Sequence, residues 1–144
     1  MDWQKEAIND LRNLNARRTA IGNLKEQLKE LEEKFLTLKG VSNDSPVKGG
    51  QSRIEDSLIN NIVKRDRLKK NLKVVSALVV MTERGLACLD ERQRAVLEGL
   101  FISSEYNRVD AVCEQLNIEQ AQLYRIRKEA LYRFTLGMYG MIDL

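Results

Sequence analysis

The 144 residues carry 24 Lys and Arg against 21 Asp and Glu, a formal net charge of +3, and are 43% hydrophobic and 6% aromatic with a single proline. That is the size of one domain, or of a small domain carrying an extension, and the composition favours helices. Histidine is absent, which excludes zinc-finger-type sites and histidine acid–base catalysis, and a charge this mild is by itself no signature of nucleic-acid binding.

The opening Met1-Asp2-Trp3-Gln4-Lys5-Glu6 has no apolar signal core. The longest apolar stretch, Val74 to Met81, is interrupted by Ser76 and is too short to span a bilayer. A cytoplasmic protein without membrane contact is the expectation. Cys88 and Cys113 lie far apart in apolar contexts at no metal-ligand spacing, so they are expected as small buried thiols in a reducing compartment, with no cofactor and no metal.

From about Asp2 to Lys39 the apolar positions Leu14, Ile21, Leu24, Leu28, Leu31, Phe35 and Leu38 keep a heptad, which predicts one long helix of roughly 55 Å. Arg17 interrupts the seam, and Ile8 and Leu11 are out of register with it, so the N-terminal third packs differently. Residues 40–51 hold three glycines and the proline and predict an exposed loop. Ser52-Arg53-Ile54-Glu55 then reads as a capping box opening a second long helix through Ile54, Leu58, Ile62, Leu68, Leu72, Val75 and Val79 to about Arg84. Two long helices joined by a loop form an antiparallel hairpin, and a parallel dimer of coiled coils is the competing arrangement. Lys64, Arg65, Arg67, Lys69, Lys70 and Lys73 crowd together with only Asp66 against them. They read first as a solvated face paired with Glu26, Glu30, Glu32 and Glu33, and second as a phosphate-contacting patch.

Gly85 is expected to break or weaken the second helix, and the domains are expected as 1–85, a helical hairpin, and 86–144, a separate helix-turn-helix domain. Asp90 with Gln93 makes a start signal for a buttressing helix through Ala95, Val96, Leu97, Leu100 and Phe101. The stretch Val109 to Leu131 then reads as two short helices around a tight turn, the pattern of a helix-turn-helix. Asn107 and Asp110 supply its start signal. Val112, Leu116, Ile118, Leu123 and Ile126 are its interior, and Cys113 is the small side chain expected at the closest helix approach. Asn117 sits where the turn needs positive φ, and Glu119 is a poor cap for the second helix.

At about 100° per residue, Leu123, Ile126, Ala130 and Phe134 share one face of that second helix, and Ala121, Arg125, Lys128 and Tyr132 lie opposite. This places Gln120, Ala121, Tyr124 and Arg125 towards base edges and Gln122, Arg127, Lys128 and Arg133 towards phosphates, since Gln and Arg match adenine and guanine edges. A helical hairpin that only packs is the plain alternative. Asp90 to Leu144 has seven cationic residues against nine acidic ones, a net of −2, so binding relies on local placement of charge.

Leu89-Asp90-Glu91-Arg92-Gln93-Arg94-Ala95-Val96-Leu97, followed by the helix-turn-helix and Tyr124-Arg125-Ile126-Arg127-Lys128-Glu129-Ala130-Leu131-Tyr132-Arg133-Phe134, resembles the promoter-binding fourth region of bacterial sigma factors. The chain as a whole, with Ser45-Pro46-Val47-Lys48-Gly49-Gly50 and Ile54-Glu55-Asp56 after its long N-terminal helix, is similar to the ArpU/RinA-type phage transcriptional regulators. Cys113, Asn117 and Glu119 depart from the Ala, Gly and Ser or Thr usual in the motif.

The residues predict an all-α chain that binds double-stranded DNA through 86–144, with a homodimer through the heptad seam of the N-terminal helices and RNA polymerase as further candidate partners; the resemblance implies a phage- or prophage-encoded regulator of late genes. The alternatives are a DNA-packaging recognition subunit of the small-terminase kind and a coiled-coil adaptor docking on RNA polymerase. Nothing in the chain points to an enzyme: there is no phosphate-cradling glycine loop, no metal cluster and no nucleophile with a base beside it.

Overall fold

A computed structural model describes residues 2–44, 48–103 and 108–142, with side chains described for 2–40, 53–103 and 108–142. The fold is all-α. Its elements are α1 (Trp3–Asp44), α2 (Lys48–Ala87), α3 (Glu91–Leu97) continued by a π-helical turn (Glu98–Ile102), α4 (Arg108–Leu116) and α5 (Gln120–Tyr139). Among the described residues there is no strand, and no helix is long and apolar enough to cross a membrane.

Asp2 starts α1 by accepting the backbone N–H groups of Gln4 (3.1 Å) and Lys5 (3.4 Å) on Oδ1. Three sequence expectations change along the two long helices. The loop expected over 40–51 contracts, because α1 continues through Gly40 to Asp44 and α2 begins at Lys48; the interval 45–47 lies outside the described residues. Ser52-Arg53-Ile54-Glu55 accordingly falls inside α2 and does not open it. Gly85 does not break α2, which runs on to Ala87. An interior glycine costs a helix only about 1 kcal/mol, and at Gly85 packing supplies a reason for it. A Cβ there would stand 2.7 Å from Met138 Cγ and 2.8 Å from the Phe134 ring, so only glycine lets α5 approach.

Contacts group the chain into two compact units, Arg18–Ser76 and the combination of Met1–Arg17 with Ala77–Leu144. Within Arg18–Ser76 the helices run antiparallel: Ala20, Leu24 and Gln27 line one cavity with Asn71, Val74 and Val75, whereas further along α1 Leu31 lies against Asn61. Asn61 Nδ2 donates to the Leu31 carbonyl at 2.9 Å, and the Arg65 guanidinium sits 4.5 Å from the Phe35 ring centroid. Asn61 is only 5% exposed, so its amide reaches that carbonyl in one register and pins the hairpin as a polar seam position does.

The expected pairing of the basic run with the acidic row is not seen. Among the described residues no salt bridge joins Lys64, Arg65, Arg67, Lys69, Lys70 or Lys73 to Glu26, Glu30, Glu32 or Glu33. The helical phase explains it: Glu26, Glu30 and Glu33 fall on the side of α1 away from Leu24, Leu28 and Leu31, and Arg67 and Lys70 on the side of α2 away from Asn61, Leu68 and Leu72.

In the other unit, Ala7, Leu11 and Leu14 of α1 are completely buried, as are Val96, Leu97, Leu123, Ala130 and Phe134. The N-terminal third therefore packs differently from the heptad that follows, as the shift of phase at Leu11 predicts. Asp90 and Gln93 form the expected capping box: Asp90 Oδ1 accepts Gln93 N–H at 2.7 Å, and Gln93 Oε1 accepts Asp90 N–H at 3.3 Å. The π-helical turn closes with Ser103 N–H on the Glu98 carbonyl at 2.7 Å.

Gly99 in that turn receives Val112 of α4, whose Cγ2 occupies the space a Cβ would need. The closest approach thus falls on Val112, not on Cys113, which is half-buried. Cys88 also differs from expectation: it is exposed, because it follows the last turn of α2 and covers Gly137 with one side only.

Candidate nucleic-acid interface

The turn between α4 and α5 is built on Asn117. Its φ of 53° is the left-handed conformation expected of it, and it is the only non-glycine positive φ among the described residues. Asn117 N–H bonds to the Glu114 carbonyl (3.3 Å) and Ile118 N–H to the Cys113 carbonyl (3.0 Å), the paired bonds of a Schellman ending. Glu119 caps α5 without a side-chain hydrogen bond, as its chemistry predicts. The start signal read at Asn107 lies outside the described residues, whereas Asp110 lies in the first turn of α4. Arg108 NH1 donates to the Leu100 carbonyl at 3.0 Å and ties α4 to the π-helical turn.

α5 divides into the two faces its sequence implies. Leu123, Ala130, Leu131 and Phe134 are buried, and Gln120, Ala121, Tyr124, Arg125 and Lys128 are exposed, Tyr124 by 47%. Those five form one open surface on the first two turns, directly after the Asn117 turn. The other three predicted contacts are placed differently. Gln122 is half-buried at the edge of the surface. Arg127 is half-buried too, and its guanidinium lies 5.4 Å from the Phe101 ring centroid; roughly 200° round the helix from Arg125, it faces the π-helical turn. Arg133 is exposed, with NH1 3.5 Å from the Gln93 Oε1 that also completes the α3 capping box.

Sequence reasoning missed the share of α1 in this unit. Trp3 meets Tyr132 edge-on at 6.2 Å between centroids, and the Tyr139 hydroxyl donates to Asp10 Oδ2 at 2.9 Å. Both contacts advance by seven residues on each helix, so α1 runs alongside the last two turns of α5, where Tyr132 and Tyr139 each stay 48% exposed. The open surface of Gln120–Lys128 lies clear of these contacts, on the half that a recognition helix presents to base edges. Arg12 belongs to the same neighbourhood, 5.8 Å from the Phe101 centroid, and Asn15 Nδ2 donates to the Ile102 carbonyl at 3.4 Å. The one sequence signal for this packing was the phase shift at Ile8 and Leu11.

Burial of the Tyr139 phenol, followed by its hydrogen bond to the Asp10 carboxylate and the negative charge there, pushes its pKa up to about 12. Among the described residues no three Cys, Asp or Glu side chains stand together in a way that could hold a metal ion. No family model, no curated protein and no solved structure matches this chain.

Proposed function

We propose that the protein is a sequence-specific regulator of transcription that binds double-stranded DNA with α4 and α5. The observation that carries this reading is the open surface of Gln120, Ala121, Tyr124, Arg125 and Lys128, set immediately after the Asn117 turn and backed by the wholly buried Leu123. An amide, a guanidinium and an ammonium on one exposed helical face match adenine edges, guanine edges and phosphates respectively. The resemblance to sigma region 4 and to the ArpU/RinA-type regulators supports a cytoplasmic, phage- or prophage-encoded controller of late genes. Selection of bound duplexes from a random pool with the full chain tests it: a shared short motif is expected, and recovery without enrichment would contradict it. Co-sedimentation with RNA polymerase in the absence of DNA binding would favour the adaptor reading.

Self-association through the hairpin is part of the proposal. Ile59, Val63 and Val74 are 58%, 54% and 61% exposed on the outer side of α2, next to Arg67 and Lys70, while α1 presents Glu26, Glu30 and Glu33 outwards. A second copy offers the acidic row that complements this apolar and basic face. Sedimentation should give a dimer that Val63→Glu weakens. A monomer at high micromolar concentration excludes it, and a ring of many subunits would favour the DNA-packaging alternative.

A further inference from the structure

Two guanidinium groups share one aromatic ring. Phe101, 7% exposed in the π-helical turn, has Arg12 of α1 at 5.8 Å and Arg127 of α5 at 5.4 Å from its centroid. Neither arginine makes an ion pair or a hydrogen bond with another described residue, which sets them apart from Arg17, Arg94 and Arg108. Contact with a ring uses the guanidinium as a planar cation and leaves its N–H donors unspent. Among the described residues no carboxylate pairs with either guanidinium, and an anion accepting from both would offset the repulsion between the two charges. The acceptor that fits two forks of N–H donors is a phosphate.

We propose that Arg12 and Arg127 hold one phosphate group across Phe101, so that α1, outside the helix-turn-helix, contributes a backbone contact to the bound duplex. The proposal rests on the DNA-binding reading for its source of phosphate and on the Phe101 geometry for the site itself. It also gives Arg127 a phosphate role from the face of α5 turned away from Arg125.

The test uses the full chain, Arg12→Gln, Arg127→Gln and the double variant, with melting temperature as the folding control; Arg12 is exposed, so Arg12→Gln is expected to fold as the parent does. In duplex titrations at about 50 and about 200 mM salt, losing one phosphate contact lowers the log–log salt slope by about 0.9, which shrinks the affinity change between those two salts by roughly 3.5-fold. Arg12→Gln should show that change equally on selected and random duplexes, and the double variant should lose no more slope than either single one. DNA binding by Arg12→Gln with the parent's slope and affinity overturns the proposal while the DNA reading stands. If the parent binds no duplex, inorganic phosphate is titrated against the arginine Nε–H resonances. Shifts at Arg12 and Arg127 that vanish in the double variant keep the site with free phosphate as its ligand, and no shift overturns it.

Discussion

Tyr139 donates its hydroxyl to Asp10 Oδ2 at 2.9 Å, and the other oxygen of that carboxylate accepts from Arg17 NH1, also at 2.9 Å. Asp10 is 7% exposed, so a nearly buried carboxylate is satisfied by a phenol from the last turn of α5 and a guanidinium from its own helix. This fastens α1 to the last turn of α5 and leaves Gln120–Lys128 open. Asp10→Ala removes both acceptors at once and should destabilise the unit by roughly 1–3 kcal/mol. Thermal melting at neutral pH checks it.

The phenol also makes an alkaline signature. Its folded pKa of about 12 lies above the ordinary 10.0, so its contribution is fully present below pH 10 and is lost as pH rises towards 12. Tyr139→Phe removes that contribution, and the gap in melting temperature between parent and variant should therefore narrow as pH rises from about 10 to about 12. A gap independent of pH across this window would show that ionisation of the hydroxyl is not coupled to folding.

Two glycines in helix interiors separate packing from propensity. Gly22 has no heavy atom within 4 Å of a built Cβ, so Gly22→Ala should stabilise by about 0.5–1 kcal/mol. At Gly85 the same change drives a methyl group into Met138 and Phe134, and overpacking of about 1–3 kcal/mol should outweigh the helical gain. Opposite shifts in denaturant midpoint are the expected result.

At the turn of the motif, Asn117→Gly should be neutral or mildly stabilising, whereas Asn117→Val should cost on the order of 1–2 kcal/mol because a β-branched residue resists φ of 53°. Urea titration followed by far-ultraviolet circular dichroism measures both.

The all-α fold, the antiparallel hairpin, the Asp90 capping box and the left-handed Asn117 were legible because each rests on a local rule: heptad spacing, a three-residue cap, one residue type tolerant of positive φ. Gly85 stands inside a helix for a tertiary reason. Its sequence neighbourhood looks like a helix end, and only Phe134 and Met138, about fifty residues on, explain a glycine inside the helix. The interval before α2 is narrower than its glycines suggest, because glycine composition says little once neighbouring turns are helical. Arg127 stands about 100° round the helix from Lys128 and meets Phe101, a contact that the cationic run alone does not show. The roles of Trp3, Asp10 and Arg12 depend on α1 lying along α5, a long-range pairing that no local pattern encodes.

The central claim, that the first two turns of α5 read DNA, is met most directly by comparing Arg125→Ala with Lys128→Ala. The titration uses a selected duplex and a random one across salt, with melting temperature as control. Both side chains are exposed, so both variants should melt as the parent does. Arg125→Ala should lose about 1–3 kcal/mol of preference for the selected duplex, and Lys128→Ala should weaken both duplexes alike and lower the salt slope by about 0.9. If Arg125→Ala melts normally and binds both duplexes as the parent does, the helix does not supply specificity and the claim fails.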